Sequence, residues 1–166
     1  TSASGSTSTA IGNSTSASGS TSTAMGNSTS ASGSTSTAMG NLTYAVGTYS
    51  TAMGSQSIAI GNTSTAMGGT IANGIGTLST GMFNDSLYSS QSPQGPATPL
   101  FIIGNGSSNT LRSNAMMVQY NGNVGLGTNS PQSKLDIAGG LTIGSGVFYA
   151  GFNAAPTNGA IIQGNV

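Results

Sequence analysis

The stretch STSASGSTSTAMGN occupies residues 14–27, and residues 28–41 repeat it letter for letter. Glycine recurs every seventh residue in this part of the chain, and alanine stands two positions before each glycine. The residue between them alternates between Ser and a larger apolar residue, and from Val46 onward it is always apolar. The full period is therefore 14 residues, made of two unequal sevens. The alanines are Ala3, Ala10, Ala17, Ala24, Ala31, Ala38, Ala45, Ala52, Ala59 and Ala66.

A repeat of seven is also the period of coiled coils, but this composition disfavours helices. Gly, Ser and Thr dominate, and large apolar residues at two positions per heptad are missing. Collagen needs glycine at every third residue, which this chain lacks. Within each segment of seven residues the pattern Ser-x-Ala-x-Gly alternates as in a short strand, and Gly followed by Asn or Ser favours a bend. The period thus predicts an all-β fold, a parallel β-roll of stacked 14-residue coils with two short strands each.

Three columns of residues define what such a roll would contain. The Ala column indicates a tight contact, either between the two strands of one coil or between neighbouring chains. A column of methionines predicts packing at a core or at a subunit interface, since an exposed apolar stripe favours a partner; a ligand-binding methionine stripe is the alternative. The third column, at the bends, predicts a ladder of stacked asparagines. The methionine column is Met25, Met39, Met53 and Met67, and the asparagine column is Asn13, Asn27 and Asn41.

The composition excludes most chemistry. The 166 residues include two basic and two acidic side chains, with no His and no Cys. Thiol, imidazole and common zinc chemistry are therefore excluded, and there is no basic face for nucleic acid. No apolar run is long enough for a membrane helix, so membrane insertion is not expected. The sequence assigns no catalytic, cofactor-binding or metal-binding residue: Asp85 and Asp136 are the only carboxylates, and Lys134 with Asp136 predicts an exposed or inter-chain ion pair.

The alternating Ser-Thr-Ala-Met-Gly and Thr-Ser-Ala-Ser-Gly units resemble the head repeats of trimeric autotransporter adhesins. This resemblance covers about residues 1–83. It implies a left-handed parallel β-roll with three chains side by side, hence a homotrimer. The spacing changes between Gly68 and Gly76, where we expect one extra residue and irregular last coils.

The remainder of the chain has a different composition. Residues 84–99 are rich in Pro and Ser and predict a neck or linker, and residues 100–166 predict short β-rich fibre modules. The stretch GNVGLGTNSPQSKLDIAGGLTIGSG at residues 122–146 resembles modules of phage tail fibres and of related bacterial surface proteins. QYNGNV at residues 119–124 is echoed by IIQGNV at residues 161–166, so a new repeat is expected near 164 and the chain is expected to be a segment of a longer fibre.

These features predict a non-enzymatic structural or adhesive segment of an extracellular homotrimeric fibre. A phage tail fibre, acting as a shaft or presenting a receptor-binding element, is the first interpretation, and a bacterial cell-surface adhesin is the alternative. The expected partners are two further copies of the chain, a host-cell receptor or glycan, and other fibre or tail proteins. Two less favoured hypotheses are a polysaccharide depolymerase and an ice-binding solenoid. The latter would use the Thr-x-Thr pairs that begin at Thr7, Thr21 and Thr35.

Overall fold

The computed structural model describes residues 1–86, 94–143 and 159–162, and every regular element in these ranges is a β-strand. No helix of the length and apolarity needed to cross a membrane occurs in these ranges. The expected repeat near 164 lies outside them, as does part of the predicted neck. The strands are β1 (Ser2–Ala3), β2 (Thr9–Asn13), β3 (Ser16–Ala17), β4 (Thr23–Asn27), β5 (Ser30–Ala31), β6 (Thr37–Asn41), β7 (Tyr44–Ala45), β8 (Thr51–Ser55), β9 (Ile58–Ala59), β10 (Thr65–Met67), β11 (Ile71–Ala72), β12 (Leu78–Met82), β13 (Pro99–Asn105), β14 (Asn114–Gln119), β15 (Val124–Leu126), β16 (Leu135–Ile137), β17 (Leu141–Ile143) and β18 (Ala160–Ile162).

The first twelve strands form a β-solenoid, which confirms the predicted roll. The odd-numbered strands β1 to β11 make one parallel sheet of six, the short-strand sheet. The even-numbered strands β2 to β12 make a second parallel sheet, the long-strand sheet. Strands β2 and β4 pair with Thr9 beside Thr23 and Asn13 beside Asn27, a register of 14 residues. Each coil therefore contributes one strand to each sheet, as the period predicts.

The core of the roll consists of alanine side chains. Ala24 and Ala38 of the long-strand sheet, like Ala17 and Ala31 of the short-strand sheet, have no exposed surface within a single chain. The Ala column therefore results from the close approach of the two strands of one coil, which decides between the two origins left open by the sequence. Buried Ser and Thr side chains flank the alanines where the chain enters each strand. They are Thr15, Ser22, Thr29, Ser36, Thr43, Ser50, Ser57, Ser64, Thr70 and Thr77.

The bends explain why glycine recurs every seventh residue. A Cβ on Gly19 or on Gly26 would overlap the carbonyl oxygen of the equivalent glycine in the next coil. Gly26 also has a φ of +129°, in the region that favours glycine. The predicted asparagine ladder is observed at Asn27, whose Nδ2 donates to Oδ1 of Asn41 at 3.0 Å.

The last coil is shorter than the others, and the expected extra residue is wrong. Ile58 pairs with Ile71 and Thr65 pairs with Leu78, so the register falls from 14 residues to 13. The expectation took Gly76 as the next glycine of the period, whereas the structure stacks Gly74 on Gly61 and places Gly76 in the left-handed bend position of Thr63. Irregularity in the final coil was correctly expected, because terminal repeats of solenoids often deviate.

The long-strand sheet continues past the roll. Strand β13 pairs in parallel with β12, and Oγ1 of Thr77 donates to the carbonyl of Pro99 at 2.6 Å. Strand β14 then returns antiparallel, β15 pairs antiparallel with β14, and β16 pairs in parallel with β15. The turn between β14 and β15 contains Asn121-Gly122, a dipeptide typical of β-hairpin turns. Strands β17 and β18 form a separate parallel pair.

The domain limits 1–83, 84–99 and 100–166 remain a prediction, although one hydrogen-bonded sheet crosses them.

Candidate binding surfaces

The outer face of the long-strand sheet carries an uninterrupted column of large apolar side chains. Alanine points inward from each strand, so the residues on either side of it point outward. Met25 lies beside Met39 in the neighbouring coil, and Met39 lies beside Met53. Ile11 is 55% exposed and Met25 is 38% exposed, whereas later members are half-buried. A parallel column of Thr9, Thr23, Thr37, Thr51 and Thr65 completes this Thr/Met face.

The outer face of the short-strand sheet changes character along the roll. Its first coils present serines such as Ser16 and Ser30. Tyr44 then occupies the same column beside Ser30, and Ile58 follows beside Tyr44. The two faces are therefore chemically distinct in the first coils, with serine on one and threonine and methionine on the other.

The Thr-x-Thr pairs do not form the flat array that ice binding would require. Thr21 lies in a bend with a φ of +57°, whereas Thr23 begins strand β4. Thr7 and Thr35 have the same left-handed conformation as Thr21. Because the two threonines of a pair are on different local structures, only the single column on the Thr/Met face remains regular. The expectation of a Thr-x-Thr array on one flat face is therefore wrong.

Asparagine side chains connect the roll to the following strands. Asn84 is fully buried and pairs with both backbone groups of Ile71. Asn114 pairs in the same way with Asp85, accepting from its N–H at 2.9 Å and donating to its carbonyl at 3.0 Å. Asn114 also donates to Asn129, and Asn129 donates to the Asp85 carboxylate at 3.1 Å. The Asn84 amide thus takes the place of a strand at the edge of the short-strand sheet, and Asn114 ties the chain after the roll to strand β14. The Asp85 carboxylate is hydrogen-bonded in this network.

The loop between β13 and β14 places the chain's one arginine against the roll. Nη1 of Arg112 donates to the carbonyl of Asn84 at 3.1 Å, and Nη2 donates to Oδ1 of Asn109 at 2.7 Å. Between this loop and the side of the roll is an open cleft of about 230 Å³. Its lining combines apolar and polar side chains: Leu42, Tyr44, Gln56, Ile58, Asn109 and Arg112.

The predicted ion pair between Lys134 and Asp136 is not made within this chain. Lys134 precedes strand β16, and its ammonium donates to the carbonyl of Asn121 at 2.6 Å. The Asp136 carboxylate accepts instead from the backbone N–H of Gln132 at 3.0 Å. An exposed pair within one chain is therefore wrong, and the inter-chain pair stays a prediction.

No group of three or more His, Cys, Asp or Glu side chains comes together in the described ranges. Asp85 and Asp136, the two carboxylates in the sequence, accept hydrogen bonds in separate parts of the structure. The chemistry that this arrangement supports is recognition by hydrogen bonds, apolar contact and a single positive charge.

Sequence reasoning identified the Met column but missed Arg112 and the two buried amides. Arg112 is the only arginine in the chain, and that rarity in a sequence with 2% charged residues was the one available signal. The asparagines gave none, because Asn is frequent here and only the fold distinguishes buried from exposed positions.

A comparison with models of protein families finds a match to the repeats of the roll. The model described as the YadA head domain repeat, in two copies, matches residues 3–29, 17–43, 31–57 and 45–70. These matches lie within the roll and stop before the residues that resemble tail-fibre modules. They therefore support the head-repeat part of the sequence interpretation and favour a surface adhesin over a tail fibre. Comparison with curated proteins and with solved structures gave no match.

Proposed function

We propose that this chain is a segment of a non-enzymatic, homotrimeric adhesin displayed on a bacterial cell surface. The repeats matched by the YadA head model support the adhesin class. The tail-fibre interpretation keeps only the resemblance of residues 122–146, which the family match does not reach. The extracellular location follows from the adhesin class and is part of the same proposal.

The observation that carries the trimer is the exposed apolar column of the Thr/Met face. A monomeric roll would leave Ile11, Met25 and the half-buried methionines after them in water along its whole length. Contiguous apolar stripes of this kind mark interaction sites. The same residue types recur in every coil, so an identical neighbouring chain in the same register would bury the column continuously.

The composition of the core supports the same conclusion. The buried cluster inside the roll contains only alanines. Each buried methyl contributes roughly 0.8 kcal/mol, well below the contribution of a buried Leu or Ile. Because ordering each residue costs on the order of 1–2 kcal/mol, a single roll has little apolar burial to offset that cost. Burial of the Thr/Met face between chains would supply more.

The test is the oligomeric state of residues 1–166 by light scattering coupled to size exclusion. We expect a trimer, and a monomer across the accessible concentration range would contradict the proposal. The double variant M25S/M39S removes two side chains from the Thr/Met face and should dissociate the trimer. The matched control V46S/I60S removes two apolar side chains from the other face and should leave it intact.

The adhesive role has a separate test. The purified trimer in solution should bind to host epithelial cells, whereas the dissociated M25S/M39S variant at the same chain concentration should bind less because avidity is lost. Neighbouring genes encoding phage structural proteins would overturn the bacterial origin.

A further inference from the structure

We propose that the cleft between Arg112 and the side of the roll binds a carboxylated sugar ring, such as a hexuronic or sialic acid unit of a glycan. This inference deepens the proposed function, on which its biological meaning rests, because it gives the adhesin a ligand class. The cleft is formed within one chain, so ligand binding there does not require the trimer.

The Arg112 guanidinium is the one charged group among the residues that line the cleft. A guanidinium has five N–H donors in a planar fork, and the two hydrogen bonds of Arg112 go to a backbone carbonyl and an amide oxygen. Neither acceptor is charged. The carboxylates of Asp85 and Asp136 accept from Asn129 and from Gln132, and within the described residues Arg112 makes no ion pair. The positive charge is therefore held in place without a counter-ion.

The planar guanidinium fits a carboxylate in shape as well as in charge. Arginine binds carboxylates through two parallel N–H bonds, and such bonds are shorter and stronger than neutral ones. The contacts to Asn84 and Asn109 fix the plane of the fork in advance, which reduces the entropy lost on binding. An anion with two coplanar oxygens is the group this site would recognise.

Part of the cleft lining is apolar. Tyr44 is 40% exposed and Leu42 is 37% exposed, and both line the cleft with Ile58. Tyrosine replaces the serine of earlier coils in this column, as its pairing with Ser30 shows. An aromatic ring with a polar tip offers apolar contact for the C–H face of a sugar and a hydroxyl for hydrogen bonding. Gln56 and Asn109 add amide donors and acceptors for sugar hydroxyls.

The size and position of the cleft limit the occupant. At about 230 Å³ it is smaller than the roughly 300–1,000 Å³ of pockets for drug-sized ligands, so a single sugar ring is the appropriate scale. Tyr44 and Ile58 belong to the short-strand sheet, whereas the proposed trimer contact uses the opposite sheet. The proposed trimer contact therefore does not use these two residues. A second polar cleft near Pro131 has neither a charged nor an aromatic lining residue, which makes it the weaker candidate.

The test is isothermal titration of the 1–166 protein with glucuronic acid, N-acetylneuraminic acid, glucose and acetate. Glucuronic acid and glucose differ only at C6, so their comparison isolates the carboxylate. We expect at least one of the two acidic sugars to bind at least tenfold more tightly than glucose and than acetate, and added salt should weaken its binding. Equal binding of acetate would identify a simple anion site and overturn the sugar assignment. Equal binding of glucose, or no binding of either acidic sugar, would also overturn it.

Variants assign the binding to the cleft. R112Q should lower the affinity at least tenfold, and R112K should recover only part of it because the planar fork is lost. Y44S restores the serine of the preceding coil and should weaken binding several-fold. K134Q removes the other basic side chain, far from this cleft, and should bind like the parent; unchanged binding by R112Q would contradict the proposal.

The oligomeric state measured on the same samples separates the two proposals. A monomer that binds glucuronic acid through Arg112 would contradict the proposed trimeric adhesin and support the binding site. A trimer that binds neither acidic sugar would do the reverse.

Discussion

Asn84 completes the edge of the short-strand sheet by pairing with Ile71. Its Oδ1 accepts from the Ile71 N–H at 2.7 Å, and its Nδ2 donates to the Ile71 carbonyl at 2.9 Å. These are the two bonds that a strand in the next coil would make. The buried amide therefore ends the six-stranded sheet without leaving the backbone of β11 unpaired.

Replacing Asn84 by Leu should open this edge of the roll. Leucine has a similar volume but leaves both Ile71 backbone groups without partners, at a cost of about 2 kcal/mol or more. Hydrogen exchange at the Ile71 amide should accelerate about 30-fold, which corresponds to that energy. The control is N62A, whose exposed side chain accepts only from the Thr48 N–H and should change exchange at Thr48 alone. Unchanged protection at Ile71 in the Asn84 variant would contradict the pairing.

Enlarging an interior alanine should destabilise the roll strongly. Ala38 is completely buried between coils that present Ala24 and Ala52, so the two added methyl groups of A38V have no space. Overpacking of this kind costs about 1–3 kcal/mol, measured here as a lower midpoint of urea unfolding at fixed protein concentration.

The neighbouring variant T37V is the matched control for A38V. Thr37 is in the same strand but points outward, and Thr and Val have nearly the same shape. The midpoint for T37V should stay close to that of the parent. Equal losses in the two variants would indicate that the inward and outward assignments are wrong.

Two buried hydroxyls in adjacent bends should respond to removal in opposite directions. Oγ of Ser22 donates to the Gly19 carbonyl at 2.7 Å, whereas Oγ1 of Thr29 has no partner among the described residues. S22A should therefore lose about 1 kcal/mol, and T29V should be neutral or gain up to about 1 kcal/mol. Urea unfolding of both variants checks this, and a loss for T29V as large as that for S22A would show that its hydroxyl is hydrogen-bonded.

The repeat made the roll predictable, because one 14-residue pattern states the inward, outward and bend positions many times. The spacing identified Ala24 and Gly26 as positions that must be small, but whether the Ala column faces the partner strand or a neighbouring chain was decided only by its burial within one chain. The last coil was misread because the next glycine of the period could be Gly74 or Gly76, and only the pairing of Ile58 with Ile71 decides for Gly74.

The candidate cleft could not be predicted from local patterns. Arg112 reaches Asn84 across 28 residues, and the cleft brings it to Tyr44 from a different part of the chain. No periodicity relates these positions. Their contact depends on how the long-strand sheet continues after the roll, which the sequence beyond residue 84 does not state.

The bends contain strain that a single substitution should relieve. Tyr49 has a φ of +59° and is 63% exposed, and β-carbon-bearing residues pay roughly 1–2 kcal/mol in this left-handed region. Asparagine adopts it more readily, so Y49N should raise the urea midpoint by the equivalent of up to about 1 kcal/mol. The bend hydrogen bond from the Tyr49 N–H to Ser34 at 2.9 Å uses the backbone and should persist. T48N introduces the same residue at a neighbouring position outside the left-handed set and should not stabilise. A lower midpoint for Y49N would show that contacts of the tyrosine ring outweigh the backbone strain.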